Sequence, residues 1–307
     1  MDLKKTSTKG LWLVFFTAII SGVSIFVNSY GVQGIDSSIF TFSKNIVVAM
    51  MLLAIILGAR QFEEIKQLAN KQWGQLMIIG AVGGSVPFLL FFKGLQMTTG
   101  TTSSFIQKTI FVYACVFALV FLKEKISKSI FIGSALLLAG TYFMVKPTFV
   151  LSIGHLLVLI ATIMWAAEYT YAKHVLKHVS GTTVAFGRMF FGSIIIFLYL
   201  LMTGKADIML HITSSQMIWI LISSVLLLLY VFTFYNGLKQ ISVGAATGML
   251  TLGAPITSLL GYLFQGKTFG IPEATGIILI LAGTAVIAFF TLRMSRLAIQ
   301  EVAHERH

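Results

Sequence analysis

Charged residues are scarce in this sequence: 10% of its 307 residues are Asp, Glu, Lys or Arg, whereas 57% are hydrophobic. A typical globular domain has about 25% charged residues. A soluble fold would leave much of this apolar surface in water, at a cost of about 25 cal/mol per Å². The composition therefore predicts an integral membrane protein and argues against a soluble enzyme.

Cysteine and metal-binding clusters are also nearly absent. Cys115 is the single cysteine and lies within an apolar run, so no internal disulfide can form. The histidines of the tail 304–307 lack the spacing of a zinc protease site. Residues 261–268 match the letters of a phosphate-binding loop, but an apolar helix instead of a strand is predicted before them. We therefore expect no metal, nucleotide or other cofactor.

The net charge of +12 would suit a nucleic-acid-binding protein, but the distribution of the charges does not. The basic residues form short clusters between long apolar runs, which is typical of the loops of a membrane protein. We therefore predict that the chain contacts a lipid bilayer and not nucleic acid.

Ten apolar runs are long enough to cross a bilayer, which takes about 20 residues per helix. The gaps between them are short, so consecutive helices should be antiparallel neighbours with no inserted soluble domain. The first run follows a basic start that resembles a signal peptide, but its length predicts a retained helix. The predicted spans, numbered one to ten, are 11–30, 39–58, 74–94, 101–121, 129–146, 152–171, 182–203, 216–236, 244–264 and 272–292.

An even number of spans places both termini on one side of the membrane. If that side is the cytoplasm, the inner segments hold fifteen Lys and Arg residues and the outer loops hold four. This excess follows the positive-inside rule. It predicts a multi-pass protein of the cell membrane with both termini in the cytoplasm.

The chain also resembles itself. A shift of 143 residues aligns 92–144 with 235–287 without a gap, and Leu138–Thr141 reads the same as Leu281–Thr284. Five spans per unit is an odd number, so the two units would have opposite orientations. Inverted repeats are common in secondary transporters, whose substrate site lies near the membrane midplane. Chance similarity between two segments rich in Leu, Ala and Gly is the alternative.

These features resemble the drug/metabolite transporter superfamily, specifically its EamA-type members. The resemblance rests on two halves of five spans, on Lys44 and Arg188 early in the second helix of each half, and on the run Phe121–Lys125 that ends the fourth span. It covers essentially the whole chain and implies a ten-helix carrier of small metabolites. The resulting division is 1–147 for the first five-helix repeat, 148–293 for the second and 294–307 for a cytoplasmic tail.

Polar side chains at matching positions of spans four and nine predict a shared cavity. Ser104 and Lys108 are four residues apart and therefore lie on one helical face, with Gln107 beside them. The shift of 143 residues maps this pair onto Thr247 and Thr251. We predict that these five residues bind substrate. The alternative is that the hydroxyls bond to their own helix and that Lys108 extends to the membrane surface.

Span six carries Trp165, Glu168 and Tyr169, and span seven carries Arg188 across a short loop. Arg188 should lie within reach of Glu168, so the two charges can neutralise each other. Trp165 and Tyr169 are further candidates for substrate binding. Glu168 is a candidate for coupling to a proton or ion, because an ionisable residue within a membrane is by default a functional one. An interfacial salt bridge is the alternative.

Lys44 lies in span two, about two turns from the predicted outer boundary. Its side chain can extend to the interface, or it can attract substrate. Together with Lys108 it would favour solutes that carry a carboxylate or another anionic group, and zwitterions such as amino acids fit as well.

The sequence thus predicts an all-α polytopic membrane protein with ten transmembrane helices in two inverted five-helix repeats. We expect a secondary active exporter or exchanger of an amino acid, nucleobase, organic anion or drug-like solute. Spans four and nine, with parts of one, three, six and eight, would line its cavity. The glycines of spans five and ten would form internal scaffold contacts or a homodimer. An intramembrane enzyme or a structural membrane subunit is the alternative.

Overall fold

Helices form the described part of this chain, whose structure is a computed structural model covering residues 3–32, 35–97, 105–124, 128–146, 152–265 and 270–304. Ten helices follow the ten predicted spans, and short helices at Phe62–Lys66 and Ala206–His211 lie in the loops. In chain order the ten are α1 (Leu3–Gly31), α2 (Ser37–Gly58), α3 (Asn70–Ile79, Gly80–Ser85 and Val86–Gln96), α4 (Phe105–Leu122), α5 (Lys128–Val145), α6 (Ile153–Val175), α7 (Gly181–Met202), α8 (Ser214–Leu238), α9 (Val243–Met249, Leu250–Leu252 and Gly253–Gln265) and α10 (Ile271–His304).

By their length and composition, most of these helices can span a membrane. Within the described ranges, nine helices are long and apolar enough to cross a bilayer, and α5 contributes a shorter apolar stretch at Phe131–Met144. Large apolar side chains on the outside of the bundle, such as Phe121 and Phe131, are more than two thirds exposed. Such surfaces are stable only in lipid. The predicted all-α, polytopic fold class is confirmed.

The packing of α5 on α10 shows the symmetry of the two halves. A Cβ on Gly133 would lie 2.5 Å from Ile287 and 3.0 Å from the carbonyl oxygen of Gly283. A Cβ on Gly276 would lie 2.5 Å from Met144 and 2.7 Å from the carbonyl oxygen of Gly140. Each residue in the first set is 143 positions from its counterpart in the second. The reciprocal contacts are those of a two-fold axis between two copies of one unit.

These glycines therefore serve as scaffold contacts within one chain, where the absence of a side chain lets the two backbones approach closely. A homodimer through α5 and α10 would have to use their outward faces, and it stays a prediction. A second reciprocal pair of close helix contacts joins the two halves. A Cβ on Gly94 of α3 would lie against the carbonyl oxygen of Gly154 in α6, and a Cβ on Gly237 of α8 would lie against that of Gly10 in α1.

Helix α3 is interrupted in its middle. Residues Gly80–Ser85 form a π-helical turn, and Pro87 follows two residues later. In a regular α-helix residue 87 would donate its N–H to the carbonyl of Gly83, but proline has no N–H. The carbonyl of Gly83 is consequently free to accept hydrogen bonds from outside the helix, which membrane proteins tolerate where the backbone lines a cavity or is buried in protein.

Candidate substrate cavity

A cavity of about 490 Å³ lies between the two repeats. Its walls come from α1, α2, α3 and α4 of the first repeat and from α6, α7, α8 and α9 of the second. Cavities of about 300–1,000 Å³ are typical of small-molecule sites. Spans two and seven were not among the spans predicted to line the cavity, and the buried faces of α2 and α7 contribute Lys44 and Arg188 to its wall.

The structure brings most of the predicted site residues together. Glu168 is fully enclosed behind the wall and does not line the cavity, and Ser104 lies outside the described residues. The predicted residues that do line it are Lys44, Gln107, Lys108, Trp165, Tyr169, Arg188, Thr247 and Thr251.

Arg188 is held by a buried network. Its Nη1 donates to the hydroxyl of Tyr235 at 3.0 Å, and that hydroxyl donates to Oε1 of Glu168 at 2.7 Å. The direct distance from Nη1 to Oε2 of Glu168 is 3.9 Å. The two charges therefore interact mainly through the tyrosine between them. The side chains of Arg188 and Glu168 are 3% and 0% exposed, so the pair is buried inside the bundle.

The carbonyl that Pro87 leaves free completes this network. The oxygen of Gly83 accepts from Nη2 of Arg188 at 3.0 Å and from Nε1 of Trp165 at 3.0 Å. One break in α3 thus orients both a guanidinium from α7 and an indole from α6 at the cavity wall. The neighbouring Gly84 carbonyl accepts from the side chain of Asn45 in α2 at 2.8 Å.

Lys44 and Lys108 have a different environment. They are 5% and 8% exposed, and both line the cavity. The ammonium of Lys44 lies 4.3 Å from the centroid of the Phe40 ring, a cation–π contact. Over the described residues, neither ammonium meets a carboxylate or a hydrogen-bond acceptor. The side chain of Lys44 therefore lies inside the bundle, at the cavity wall.

The hydroxyl of Thr247 in α9 behaves as the alternative interpretation predicted. Thr247 donates to the carbonyl of Val243 in its own helix at 2.9 Å. Its oxygen still has a free lone pair on the cavity side, so it can accept a hydrogen bond there. Thr251 lies one turn further along, in the 3₁₀ turn Leu250–Leu252 that interrupts α9 before Pro255.

One wall of the cavity is aromatic. Phe88 packs edge-on against Trp165, with 5.2 Å between ring centroids, and Phe91 lies 5.5 Å from the same indole. Tyr169 and Tyr230 continue this surface, and their hydroxyls are 3.2 Å apart. Offset and edge-to-face arrangements of this kind leave ring surface available to a further flat group.

The bundle is tightly packed on the side of the chain termini. The ammonium of Lys173 donates to the carbonyls of Leu238, Lys239 and Ile241, at 2.7, 3.1 and 2.8 Å. Closer to the cavity, Thr17 of α1 bonds to Thr233 of α8 at 2.7 Å. The lining residues of α1 begin only at Ser21 and continue to Asn28, and Val32 just after the helix also lines the cavity. The cavity therefore occupies the half of the bundle away from the termini.

Sequence reasoning missed Tyr235, which bridges Arg188 and Glu168. The repeat contained a signal for it: Tyr235 aligns with Phe92 at the start of the matched segments, so a hydroxyl is present in one half only. The hydroxyl that joins Arg188 to Glu168 therefore has no counterpart at the matching position of the first repeat.

Comparison with known proteins agrees with this architecture. The family described as the EamA-like transporter family matches twice, over residues 8–146 and 152–289. A riboflavin transporter, ImpX, from Fusobacterium nucleatum subsp. nucleatum is 24% identical over 250 residues, which are 77% of this chain and 83% of that protein. An uncharacterized transporter in the cobO 3′ region of Sinorhizobium sp. is 23% identical over 129 residues, 42% of this chain and 90% of that protein.

A solved crystal structure has the same fold, with a TM-score of 0.77 and 16% identity, over 92% of this chain and 97% of the other. The two family matches each contain five of the ten helices, as expected of a protein built from two inverted units. The chain belongs to the EamA-like transporter family, within the drug/metabolite transporter superfamily.

Proposed function

We propose that this chain is a secondary active transporter that carries one small solute at a time through the cavity between its repeats. The observation that carries this proposal is a cavity of about 490 Å³ with walls from both repeats and tight packing on the terminal side. A carrier needs a site that opens to one side at a time, and rocking of one repeat against the other provides this alternation.

With the termini in the cytoplasm, as the distribution of basic residues predicts, the cavity belongs to an outward-facing state at the cell membrane. In the family context we propose export or exchange. Because a relative is named as a riboflavin transporter, riboflavin is the first solute to test. Amino acids, nucleobases and organic acids follow.

The test is counterflow in proteoliposomes, in which an unlabelled solute on one side accelerates the entry of the labelled solute from the other. A carrier shows saturation and this acceleration, and a channel shows neither. Ser24→Trp would place an indole in the cavity and should abolish transport. Its matched control is Phe16→Trp on the lipid face of the same helix, where the side chain is 51% exposed. Equal transport by both variants would contradict the proposal.

We further propose Glu168 as the residue that couples transport to a proton or ion. It is the one acidic side chain that is buried within the described residues, and its partner Arg188 lines the cavity. A solute near Arg188 would compete with Glu168 for the guanidinium. Glu168→Gln should therefore abolish the pH dependence of transport in proteoliposomes. If that pH dependence is unchanged, coupling through Glu168 is excluded.

A further inference from the structure

The charged residues that line the cavity are all cationic. They are Lys44, Lys108 and Arg188, and no acidic residue contributes to the described lining. Arg188 is compensated by Glu168 and Tyr235 from behind the wall. The other two ammonium groups have no such compensation within the described ranges, although each lysine is more than nine-tenths buried.

A buried ammonium group without a partner is unfavourable, and an anion at the same place removes the penalty. Lys44 and Lys108 come from α2 and α4, which both begin at the end of the bundle away from the termini. Gln107, beside Lys108, adds an amide that can donate to the same anion. Two ammonium groups and one amide N–H donor that line the same cavity are suitable ligands for a carboxylate.

The aromatic part of the cavity wall favours a solute with a flat ring. Phe88, Phe91 and Trp165 form a continuous aromatic surface, and the indole is fixed in place by its bond to the Gly83 carbonyl. A flat ring gains both area burial and favourable ring geometry against such a surface.

Resting on the proposed function, we infer that the cavity takes a flat organic anion: an aromatic or heteroaromatic ring that carries a carboxylate. The carboxylate is bound by Lys44 and Lys108, and the ring lies against Phe88, Phe91 and Trp165. A neutral or cationic solute of the same shape binds more weakly, because it leaves both ammonium groups uncompensated.

The charge is tested with a matched pair of probes, 2-naphthoate and its neutral amide 2-naphthamide, titrated calorimetrically into the purified protein in a non-ionic detergent. We expect naphthoate to bind at least tenfold more tightly. Lys44→Met and Lys108→Met should each reduce this preference to less than threefold. Lys44→Arg and Lys108→Arg should retain it, which shows that the methionine variants lose charge and not fold. Lys93→Met, at an exposed position of α3 outside the lining, is the matched control and should leave the preference unchanged.

The ring is tested with 2-naphthoate and its saturated analogue decalin-2-carboxylate. We expect the aromatic acid to bind severalfold more tightly, and Phe88→Leu and Phe91→Leu to reduce this difference. Phe131→Leu on the lipid face, where the side chain is 73% exposed, is the control and should have no effect.

Equal binding of naphthoate and naphthamide, failure of both to bind, or a preference that survives the methionine substitutions would overturn the inference. These outcomes are distinct from failure of the proposed transport. Binding of naphthoate that depends on the lysines, without counterflow of any solute, would retain the anion site and reject the carrier. Counterflow of a neutral or cationic solute that is unaffected by Lys44→Met would retain the carrier and reject the anion site.

Discussion

Lys44 and Arg188 occupy equivalent positions in the two repeats, seven residues after the start of α2 and of α7, and their environments differ. Each lies about 10 Å along its helix axis from the helix start, and the two helix starts are at opposite ends of the bundle. Arg188 is bound by a tyrosine, a backbone carbonyl and a nearby carboxylate. Among the described residues, the contact recorded for the Lys44 ammonium is with the face of the Phe40 ring.

The cause of this difference lies in the two residues that surround each cation. The positions that correspond to Glu168 and Tyr235 in the first repeat are Ile25 and Phe92, or Ser24 with one residue of slippage. One cation is therefore compensated by its own repeat, and its equivalent in the other repeat lacks both the carboxylate and the hydroxyl.

The largest expected effect on stability comes from removing Arg188, the cation that Glu168 compensates. Arg188→Met leaves the carboxylate of Glu168 buried without a positive partner, and breaking a buried pair in this way costs about 3–5 kcal/mol. We expect a correspondingly large fall in the free energy of unfolding, measured in detergent micelles. Arg188→Met combined with Glu168→Gln should recover part of the loss.

Lys44→Met is the matched experiment in the first repeat. No carboxylate depends on Lys44 within the described residues, so the free energy of unfolding should be unchanged or increased. A loss as large as that of Arg188→Met would show that the two cations play the same structural role, and the comparison would fail.

Tyr235→Phe should have the next largest effect. It removes the hydroxyl that accepts from Arg188 and donates to Glu168. Hydrogen bonds to charged groups contribute about 1.5–3 kcal/mol each, so we expect a loss of that order in thermal or chemical unfolding. Tyr230→Phe is the control, because it removes only a neutral bond to Tyr169 at 3.2 Å and should cost about 0.5–1.5 kcal/mol. Equal costs would mean that Tyr235 does not bridge the two charges.

The two repeats should respond equally where their packing is the same. Gly133→Ala and Gly276→Ala each place a methyl group against the opposing helix, including a backbone oxygen that cannot move aside. Overpacking of this kind costs about 1–3 kcal/mol, and we expect similar losses for the two variants. Gly74→Ala has nothing within 4 Å and should stabilise the helix by about 0.5–1 kcal/mol. Unequal losses at 133 and 276 would contradict the two-fold relation.

Sequence patterns predicted the fold in more detail than the site. Helix length, hydrophobicity and the shift of 143 residues can be read from the sequence. All ten spans and the packing role of the glycines in spans five and ten could therefore be predicted. The hydrogen-bond network around Arg188 could be predicted only in part, because it depends on the Gly83 carbonyl, which has no N–H partner at Pro87 in its own helix. A proline inside an apolar span indicates a break in its helix, but nothing in the sequence shows that the Gly83 oxygen contacts both Arg188 and Trp165 from other helices. Such contacts are set by how three helices pack together.

The smallest effect concerns the equivalent starts of α2 and α7. Asp36 precedes α2 and pairs with Lys205 at 2.7 Å, whereas Ser180 precedes α7 and its N–H donates to Glu64 at 2.6 Å. Partial burial alone would raise the pKa of Asp36, but the hydrogen bond from Lys205 and the N–H of Ser38 outweigh it and lower that pKa below its usual value.

Because the pKa of Asp36 is lower in the folded state, its contribution to stability is present above the usual aspartate pKa of about 3.9 and is lost as the pH falls through the folded value. Asp36→Asn should therefore reduce the free energy of unfolding at pH 7 by no more than about 1 kcal/mol, since the pair is partly exposed. The difference from the unmodified protein should shrink in 0.5 M salt and toward pH 3, because salt screens the pair and acid protonates Asp36. Glu64→Gln retains an acceptor for Ser180 and should respond less to salt. A larger salt response for Glu64→Gln would reverse the assignment of an ion pair to the start of α2 and of a hydrogen bond from a neutral N–H to the start of α7.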